Sequence, residues 1–314
     1  MNRCLACGKP LTPDDTFWHT RCVKSFFGTK ELPTISLDSE TLEVWGSEST
    51  RMGFTVPGVQ KKLSLHLEAY RGKGKLTLIG HPPGYILKLQ ADEYPHLPEL
   101  EDVVMRMADV ASLETVPHAL LRSEDGTLAY ISKRIDRIQT KERIQKLPME
   151  DFCQLSLRLT EDKYKGSYEQ CGQIIRRYSS QPMLDLTNFW YLLVFCFITG
   201  NSDMHLKNFS LYAPTPSRYQ LTPAYDLLPV ALVLPQDPDE TALTLRGKRS
   251  RLTLADFLSL ADHLQLAPKV AERLIARLIK HSPDLLEVIE TSWLTAEEKM
   301  AMKELLISRL DRLQ

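Results

Sequence analysis

The sequence has 314 residues, which is enough chain for one two-lobed unit or two domains around a large core. The 39 Lys and Arg residues nearly balance the 40 Asp and Glu residues, and the net charge of −1 argues against autonomous binding to DNA or RNA. Because the chain does not open on a basic and then apolar segment, no secretory signal peptide is expected. The longest apolar run, residues 189–198, is too short to span a bilayer and predicts a buried helix, so no membrane partner is expected.

The first element in chain order is a cysteine-rich module, predicted over residues 1–32. Cys4-x-x-Cys7 followed by His19-x-x-Cys22 has the spacing of a structural zinc site with four ligands. Since residues 1–30 carry few apolar groups, bound zinc would supply folding energy that burial alone does not. The alternative is that Cys4 and Cys7 form a redox pair or are unligated surface thiols.

Two further regions follow and predict an α+β fold. Residues 33–146 are predicted to form a mostly β lobe, with strand-like runs at 63–67, 75–79, 85–89 and 130–132 and one helix over 98–111. Residues 147–314 are predicted to form an all-helical lobe. Its helix starts include a capping box at Thr295 and a looser match at Thr253. This bilobal layout is that of a kinase-like fold.

The most informative segment, residues 200–209, follows the buried helix. Asp203 and Asn208 stand five residues apart, which is the offset of the Asp and Asn in the protein-kinase catalytic loop. Asp226 follows a short strand-like stretch, where a kinase places its magnesium-binding Asp. Phosphoryl transfer needs one carboxylate to orient the attacking hydroxyl, and an Asn and a second carboxylate to hold magnesium.

A plainer interpretation exists for the start of this segment. Gly200 just past a helix end is an ordinary helix stop, and residues 201–203 would then be only a turn. The concentration of Asp, His, Lys and Asn in six residues, with Asp226 on the next connection, favours the functional interpretation.

Two features of the β lobe fit a nucleotide. The turn over residues 55–62 has a Gly that allows close backbone approach and two Lys residues, so it could cover phosphates, although many hairpin turns look similar. Lys88 lies in an otherwise apolar strand, where a lysine usually faces solvent from a sheet edge. Glu101 lies on the sheet-facing side of the following helix, and a strand Lys held by a helix Glu positions the phosphate-contacting amine in kinases.

Together these stretches make the chain resemble the HipA-type serine/threonine kinases, which are toxins of bacterial toxin–antitoxin systems. The resemblance runs in family order from about residue 50 to 230. It rests on Val56-Pro-Gly-Val-Gln-Lys-Lys62, Ile86-Leu-Lys88-Leu, Lys133-Arg-Ile-Asp136-Arg, Glu150-Asp-Phe-Cys-Gln154, residues 200–210 and Leu221-Thr-Pro-Ala-Tyr-Asp-Leu-Leu228.

The resemblance implies ATP and Mg²⁺ as cofactors and assigns a role to each matching residue. Asp203 becomes the catalytic base, and Asn208 and Asp226 become the magnesium ligands. Asp136, Asp151 and Gln154 become residues that support the lobes. The implied nucleotide-binding residues are Pro57, Gly58, Val59, Gln60, Lys61 and Lys62 over the triphosphate, Lys88 with Glu101, Lys133, Arg134 and Ile135 at the adenine, and His205, Lys207 and Tyr225.

The resemblance also implies partners and regulation. The substrate would be a protein, an aminoacyl-tRNA synthetase, whose phosphorylation blocks translation. Thr55 stands where the family often carries an autophosphorylated Ser. The Cys/His module stands in place of the N-terminal subdomain of full-length HipA, as in the short HipT form, whose missing subdomain is a separate small antitoxin. A helix-turn-helix antitoxin is a further expected partner. The expected location is the bacterial cytoplasm, with delivery into another cell left open.

Two alternatives to a protein kinase stay open at this stage. The chain could be a small-molecule or lipid kinase, or it could be a nucleotide-binding pseudokinase that acts as a corepressor or scaffold. Retention of Lys88, Glu101, Asp203, Asn208 and Asp226 disfavours the pseudokinase.

The basic cluster over residues 246–251 could bind nucleic acid or an acidic surface, or could be only a solvated hairpin tip.

Overall fold

A computed structural model describes residues 2–35, 62–77, 83–91, 93–123, 126–139 and 144–314 of the chain. The chain divides into two compact units, Met1–Asp102 with Val116–Lys146, and Val103–Thr115 with Leu147–Gln314. Each unit is described by itself. The predicted boundaries at residues 32 and 146 stay a prediction.

The first unit is built on an antiparallel five-stranded sheet with the order β2-β1-β3-β5-β4. Its strands are β1 (Lys62–Tyr70), β2 (Lys73–Thr77), β3 (Tyr85–Lys88), β4 (His118–Arg122) and β5 (Leu128–Lys133). A two-stranded ribbon of β6 (Arg137–Gln139) and β7 (Ile144–Lys146) follows. The runs predicted at 63–67, 85–89 and 130–132 fall on β1, β3 and β5. The run at 75–79 falls on β2 as far as residue 77, and residues 78 and 79 lie outside the described ranges.

Helix α1 (Thr20–Phe27) belongs to the N-terminal module and packs with it on this sheet. Trp18, Phe26 and Phe27 form a ring cluster with Tyr85 of β3, with centroid separations from 4.8 to 5.9 Å. The Trp18 indole donates to the carbonyl of Leu120 on β4 at 3.1 Å. Because buried aromatic rings supply much apolar contact area, this cluster gives the small module a core shared with the sheet.

Helix α2 (Leu97–Val110) confirms the helix predicted over residues 98–111. Its apolar side chains recur at helical spacing and are buried, including Leu100, Val103, Val104, Met107 and Ala108. The first residues of α2 belong to the first unit and the rest to the second.

The second unit is mainly helical, but it is not all-helical as predicted, because it also contains a three-stranded sheet. Its helices are α3 (Phe152–Leu155), α4 (Tyr168–Tyr178), α5 (Pro182–Ile198), α6 (Val230–Val233), α7 (Leu254–His263), α8 (Pro268–Lys280), α9 (Ser282–Glu290) and α10 (Ala296–Asp311). A three-stranded sheet has the order β10-β9-β8, with β8 (Met149–Asp151), β9 (Ser210–Thr215) and β10 (Arg218–Leu221). The predicted capping boxes at Thr253 and Thr295 are confirmed at the starts of α7 and α10.

Helix α5 is the centre of this unit, and residues 189–198 of it are all buried. The apolar run of residues 189–198 predicted this helix, but the helix begins seven residues before that run, at Pro182. Proline is well suited to a first helical turn because its fixed φ matches the helix and its missing N–H is not needed there. In the part of the chain that the structure describes, every helix falls short of the length and apolar character that crossing a membrane requires.

The buried carboxylate of Asp185 ties α5 to strand β10, which leads toward Asp226. It accepts from the Leu221 N–H at 2.8 Å, the Ser179 hydroxyl at 2.6 Å and the Gln181 amide at 3.1 Å. Asp185 is 1% exposed, so water has little access to replace its carboxylate as the acceptor for these donors.

Replacing Asp185 should therefore destabilise the second unit. We expect Asp185→Ala to lower the free energy of unfolding by about 2–3 kcal/mol, because donors lose their buried acceptor. Asp311→Ala, at the exposed end of α10, is the control and should change it by less than about 0.5 kcal/mol. Urea unfolding of both variants measures the difference, and equal stabilities would contradict this role for Asp185.

Candidate active site

The segment that carries Asp203 begins at the end of α5. Gly200 has φ of 72°, a left-handed conformation that glycine adopts without steric cost. The N–H of Asn201 donates to the Cys196 carbonyl at 2.8 Å, which closes the helix end. A Cβ at Gly200 would lie 2.6 Å from Leu305 and 3.0 Å from Ala231, so packing as well as backbone conformation selects glycine here.

Asp203 and Asn208 are held together through their loop. The side-chain amide of Asn208 donates to the main-chain carbonyl of Asp203 at 2.8 Å, and the Asn201 side chain accepts from the Asp203 N–H at 3.2 Å. Because a carbonyl only accepts, the Asn208 NH₂ group must face it, and the Asn208 side-chain oxygen faces elsewhere. That oxygen is the atom a hard cation such as Mg²⁺ would use.

Asp226 lies on the connection after β10 and has φ of 60°. A non-glycine residue in this region is uncommon, and such strain clusters at functional sites. The neighbouring Tyr225 fixes the connection, since its hydroxyl donates to the Lys207 carbonyl at 3.3 Å and lies 2.8 Å from the Ser210 hydroxyl. The Tyr225 hydroxyl, a predicted nucleotide contact, is thus used to join this connection to the catalytic loop.

His205 brings the two acidic residues into one electrostatic environment. Burial lowers the pKa of the His205 imidazole, although the nearby carboxylates of Asp203 and Asp226 act in the opposite direction. The imidazole is therefore neutral at neutral pH, and its Nδ1 has no hydrogen-bond partner among the described residues. Both predicted acidic groups thus act on the same buried ring.

The Lys207 ammonium forms an ion pair with a carboxylate other than those of Asp203 and Asp226. It lies 2.8 Å from Asp151 Oδ2. Asp151 also caps α3 in a reciprocal capping box with Gln154. The structure therefore joins Lys207 to Asp151, and through Asp151 to Gln154, which are two of the three residues predicted to support the lobes.

In the first unit, Lys88 and Glu101 form a buried ion pair. Lys88 Nζ lies 2.5 Å from Glu101 Oε1 and 2.7 Å from Oε2, and the two residues are only 5% and 3% exposed. The ammonium also lies 5.3 Å from the centre of the Tyr130 ring. A buried pair of this kind adds little stability over an apolar pair, so a functional role is the better explanation of its presence.

The predicted adenine-binding residues Lys133, Arg134 and Ile135 lie half-buried where β5 ends. The Lys133 ammonium reaches the Ser25 carbonyl at 3.4 Å, so its side chain contacts the N-terminal module. Arg134 makes two 3.0 Å bonds to Asp136, whose carboxylate also pairs with Arg137. Burial would raise the pKa of Asp136, but these guanidinium groups hold it below its ordinary value.

The four predicted zinc ligands form one cluster. The ligand atoms of Cys4, Cys7, His19 and Cys22 all lie within 4.8 Å of one another. His19 Nε2 lies 2.9 Å from the Pro10 carbonyl, which can only accept, so Nε2 carries the proton and Nδ1 presents its lone pair. Nδ1 lies 3.3 Å from the Cys7 sulfur and 3.8 Å from the Cys22 sulfur. Three thiols and one correctly oriented imidazole fit a tetrahedral zinc ion.

Some predicted residues cannot be placed. Thr55 and the loop residues Pro57, Gly58, Val59, Gln60 and Lys61 lie outside the described residues. Lys62 begins β1 and is paired in register with Lys88 of β3.

One contact of the site was missed by the sequence interpretation. The hydroxyl of Tyr164 donates to Asp203 Oδ1 at 2.6 Å, from 39 residues earlier in the chain. Tyr164 lies in a short segment between a 3-10 helix (Thr160–Asp162) and α4, and no local pattern of the sequence indicates its partner.

Comparison with known proteins identifies the family. Residues 54–286 match the model of the HipA-like C-terminal domain. The chain belongs to this HipA-like, kinase-like family. It is 30% identical over 273 residues to the Sinorhizobium fredii protein named "Putative kinase Y4dM", and 23% identical over 279 residues to a protein of Haemophilus influenzae named "Putative kinase". These alignments cover 82% and 78% of this chain, and 63% and 77% of the respective relatives.

Solved structures agree on the fold. HipA of Shewanella oneidensis, solved with HipB and operator DNA, matches with a TM-score of 0.70 and 22% identity over 82% of this chain and 64% of that chain. The Helicobacter pylori proinflammatory kinase CtkA matches with a TM-score of 0.53 and 15% identity over 79% of this chain and 93% of that chain. The chain therefore has the mixed α and β fold of these kinases.

Gly200 offers a test of how the catalytic loop is positioned. We expect Gly200→Ala to lower the free energy of unfolding by about 2–4 kcal/mol, from left-handed strain of about 1 kcal/mol plus overpacking against Leu305 and Ala231.

Gly247→Ala is the matched control, because Gly247 also has positive φ, of 79°, but a Cβ there would meet no atom within 4 Å. It should show only the strain of about 1 kcal/mol. Thermal or urea unfolding compares the two, and equal losses would mean that the close packing of Gly200 is unimportant.

Proposed function

We propose that this chain is an ATP- and Mg²⁺-dependent protein serine/threonine kinase of the HipA type. The observation that carries the proposal is the loop in which Asn208 binds the Asp203 carbonyl while the carboxylates of Asp203 and Asp226 act on one buried imidazole. This arrangement supports the proposal, because phosphoryl transfer requires two carboxylates and an amide that act together.

Each of these residues has a distinct task in the proposed reaction. Asp203 orients the acceptor hydroxyl of the substrate and accepts its proton as the bond to phosphorus forms. Asn208, through its side-chain oxygen, and Asp226 would hold magnesium. A magnesium ion held there would neutralise charge on the phosphates of ATP. Neutral His205 does not compete with a cation for either carboxylate.

The first unit supplies groups for the nucleotide. Lys88 contacts the α- and β-phosphates, and Glu101 holds its ammonium in place. The Lys133 side chain is directed to the Ser25 carbonyl. The main chain of residues 133–135 is therefore the part that binds adenine. The loop over residues 57–62 covers the triphosphate, and Thr55 beside it is the proposed site of autophosphorylation. Residues 55–61 of this loop lie outside the described residues.

Substrate and partners are proposed from the family. The substrate is a protein, an aminoacyl-tRNA synthetase, whose modification blocks translation. The partners are a small antitoxin that resembles the N-terminal HipA subdomain, a helix-turn-helix antitoxin, or both. The Shewanella HipA structure with HipB and DNA supports an antitoxin partner.

We further propose that Cys4, Cys7, His19 and Cys22 bind one structural zinc ion. The module is small, and its ring cluster is shared with the sheet rather than enclosed within it. Zinc would join the start of α1, which carries Cys22, to the segment that carries Cys4 and Cys7. Its role is to fix the module, not to take part in phosphoryl transfer.

The metal proposal is tested by zinc content. Protein purified without chelator should hold about one equivalent of zinc, and Cys22→Ser should lose most of it because three ligands bind more weakly than four. Cys153→Ser, which removes a buried thiol of α3, should keep the full content. Wild-type protein that binds no zinc, and whose melting temperature does not respond to added zinc, would refute the proposal.

The kinase proposal is tested by two conservative variants assayed with γ-labelled ATP on bacterial lysate. Asp203→Asn and Asp226→Asn should each reduce transfer by at least about a thousandfold, because base or metal ligand is lost. Asp226→Asn should also weaken Mg·ATP binding, whereas Asp203→Asn should leave it nearly unchanged. The control, Asp311→Asn, lies at the exposed end of α10 and should be fully active.

The labelled product separates the classes of function. A discrete protein band supports the proposal, whereas a labelled lipid or small molecule would indicate a different kinase. Transfer by neither wild type nor control would indicate a pseudokinase. Near-normal turnover by either active-site variant would contradict the assigned roles.

A further inference from the structure

The segment of residues 163–166 is bonded to the catalytic loop at two points. The Lys163 carbonyl accepts from the Leu206 N–H at 3.1 Å, and the Tyr164 hydroxyl donates to Asp203 Oδ1 at 2.6 Å. The Tyr164 ring also meets the His205 ring edge-on, with centroids 5.1 Å apart. Main chain, hydroxyl and ring of this segment therefore all contact the loop that carries the proposed base.

The same segment is fixed from its other side. Arg249 donates to the Tyr164 carbonyl at 3.2 Å and lies 3.7 Å from the Asp239 carboxylate. Further along, the Tyr168 N–H donates to the Thr244 carbonyl at 3.0 Å. Arg249 belongs to the basic cluster over residues 246–251, so at least this member of the cluster has an internal task.

The hydroxyl of Tyr164 can only serve Asp203 as a donor. Burial, and then the hydrogen bond and charge of Asp203, raise the pKa of Tyr164 well above its ordinary value, so the phenol keeps its proton. A carboxylate accepts with both oxygens, and one oxygen is occupied by this short charge-assisted bond.

We propose that Tyr164 is a positioning residue that fixes the rotation of the Asp203 carboxylate, so that the second oxygen, Oδ2, receives the acceptor hydroxyl. This inference rests on the proposed kinase function. The bond removes freedom of the carboxylate before substrate arrives, which is the preorganisation that general bases require. A tyrosine that inhibited Asp203 would have to move away from it before each turnover. The hydrogen bonds from Leu206 and Arg249 hold the main chain around Tyr164 on both sides and oppose such a movement.

Tyr164→Phe is the direct test, because it removes the hydroxyl and keeps the ring against His205. We expect kcat to fall about ten- to a hundredfold, as for loss of one hydrogen bond to a charged group, with the KM for ATP within about twofold of wild type. The loss should fall on kcat and not on the KM for ATP, because the hydroxyl acts on the proposed base and not on the nucleotide.

Tyr178→Phe is the matched control, since Tyr178 is similarly exposed at the end of α4. It should match wild type in kcat and in the KM for ATP. Melting temperatures of both variants should stay near wild type, so that a loss of rate in Tyr164→Phe is not a loss of fold. A merely structural tyrosine would change kcat only together with the melting temperature or the KM for ATP.

The outcomes separate this inference from the kinase proposal. If wild type transfers no phosphate, the kinase assignment fails first. The same holds if Asp203→Asn transfers phosphate as fast as wild type. If wild type is active and depends on Asp203, an unchanged rate in Tyr164→Phe overturns the positioning role. A faster Tyr164→Phe would overturn it as well and would show that the tyrosine inhibits Asp203.

Discussion

The burial of helix α5 is the constraint on which the candidate site depends. Its last ten residues, 189–198, are apolar almost throughout and buried on every side, so the helix cannot rotate or shift without exposing them. Arg309 and Arg312 of the C-terminal region lie 4.7 and 4.9 Å from the ring centre of Phe197 near its end. The loop over residues 200–209 begins two residues after this helix, at a glycine where a Cβ would lie 2.6 Å from Leu305 and 3.0 Å from Ala231. The packing of helix α5 in the core therefore fixes the position of Asp203.

Three polar side chains in or beside the loop over residues 200–209 have separate partners. Asn208 secures the Asp203 main chain, Lys207 is directed to Asp151, and Tyr225 joins the loop to the connection that bears Asp226. The carboxylate of Asp203 accepts from the Tyr164 hydroxyl through Oδ1. In the proposed reaction, Oδ2 is then the oxygen that receives the acceptor hydroxyl.

Much of this arrangement could be predicted because it is local in sequence. Strand-like runs and helical spacing indicated four strands and helix α2. The capping boxes marked the starts of α7 and α10, and four spaced ligands indicated the Cys/His cluster. The left-handed backbone of Asp226, the partner of Lys207 and the contact of Lys133 with the N-terminal module were not predictable. Lys207 and Lys133 contact residues 56 and 108 positions away, and Tyr164 contacts Asp203 across 39 positions. No periodic pattern in a single sequence records such contacts or the backbone conformation of Asp226.

The central claim is that the chain transfers phosphate from ATP to hydroxyl groups of proteins through Asp203. Quantitative phosphoproteomics after controlled expression in a bacterial host, with the Asp203→Asn variant expressed at the same level, tests it most directly. The account predicts new phosphoserine or phosphothreonine sites in a small number of host proteins, present with wild type and absent with the variant. Identical phosphoproteomes from wild type and variant, with both proteins folded and expressed, would contradict it.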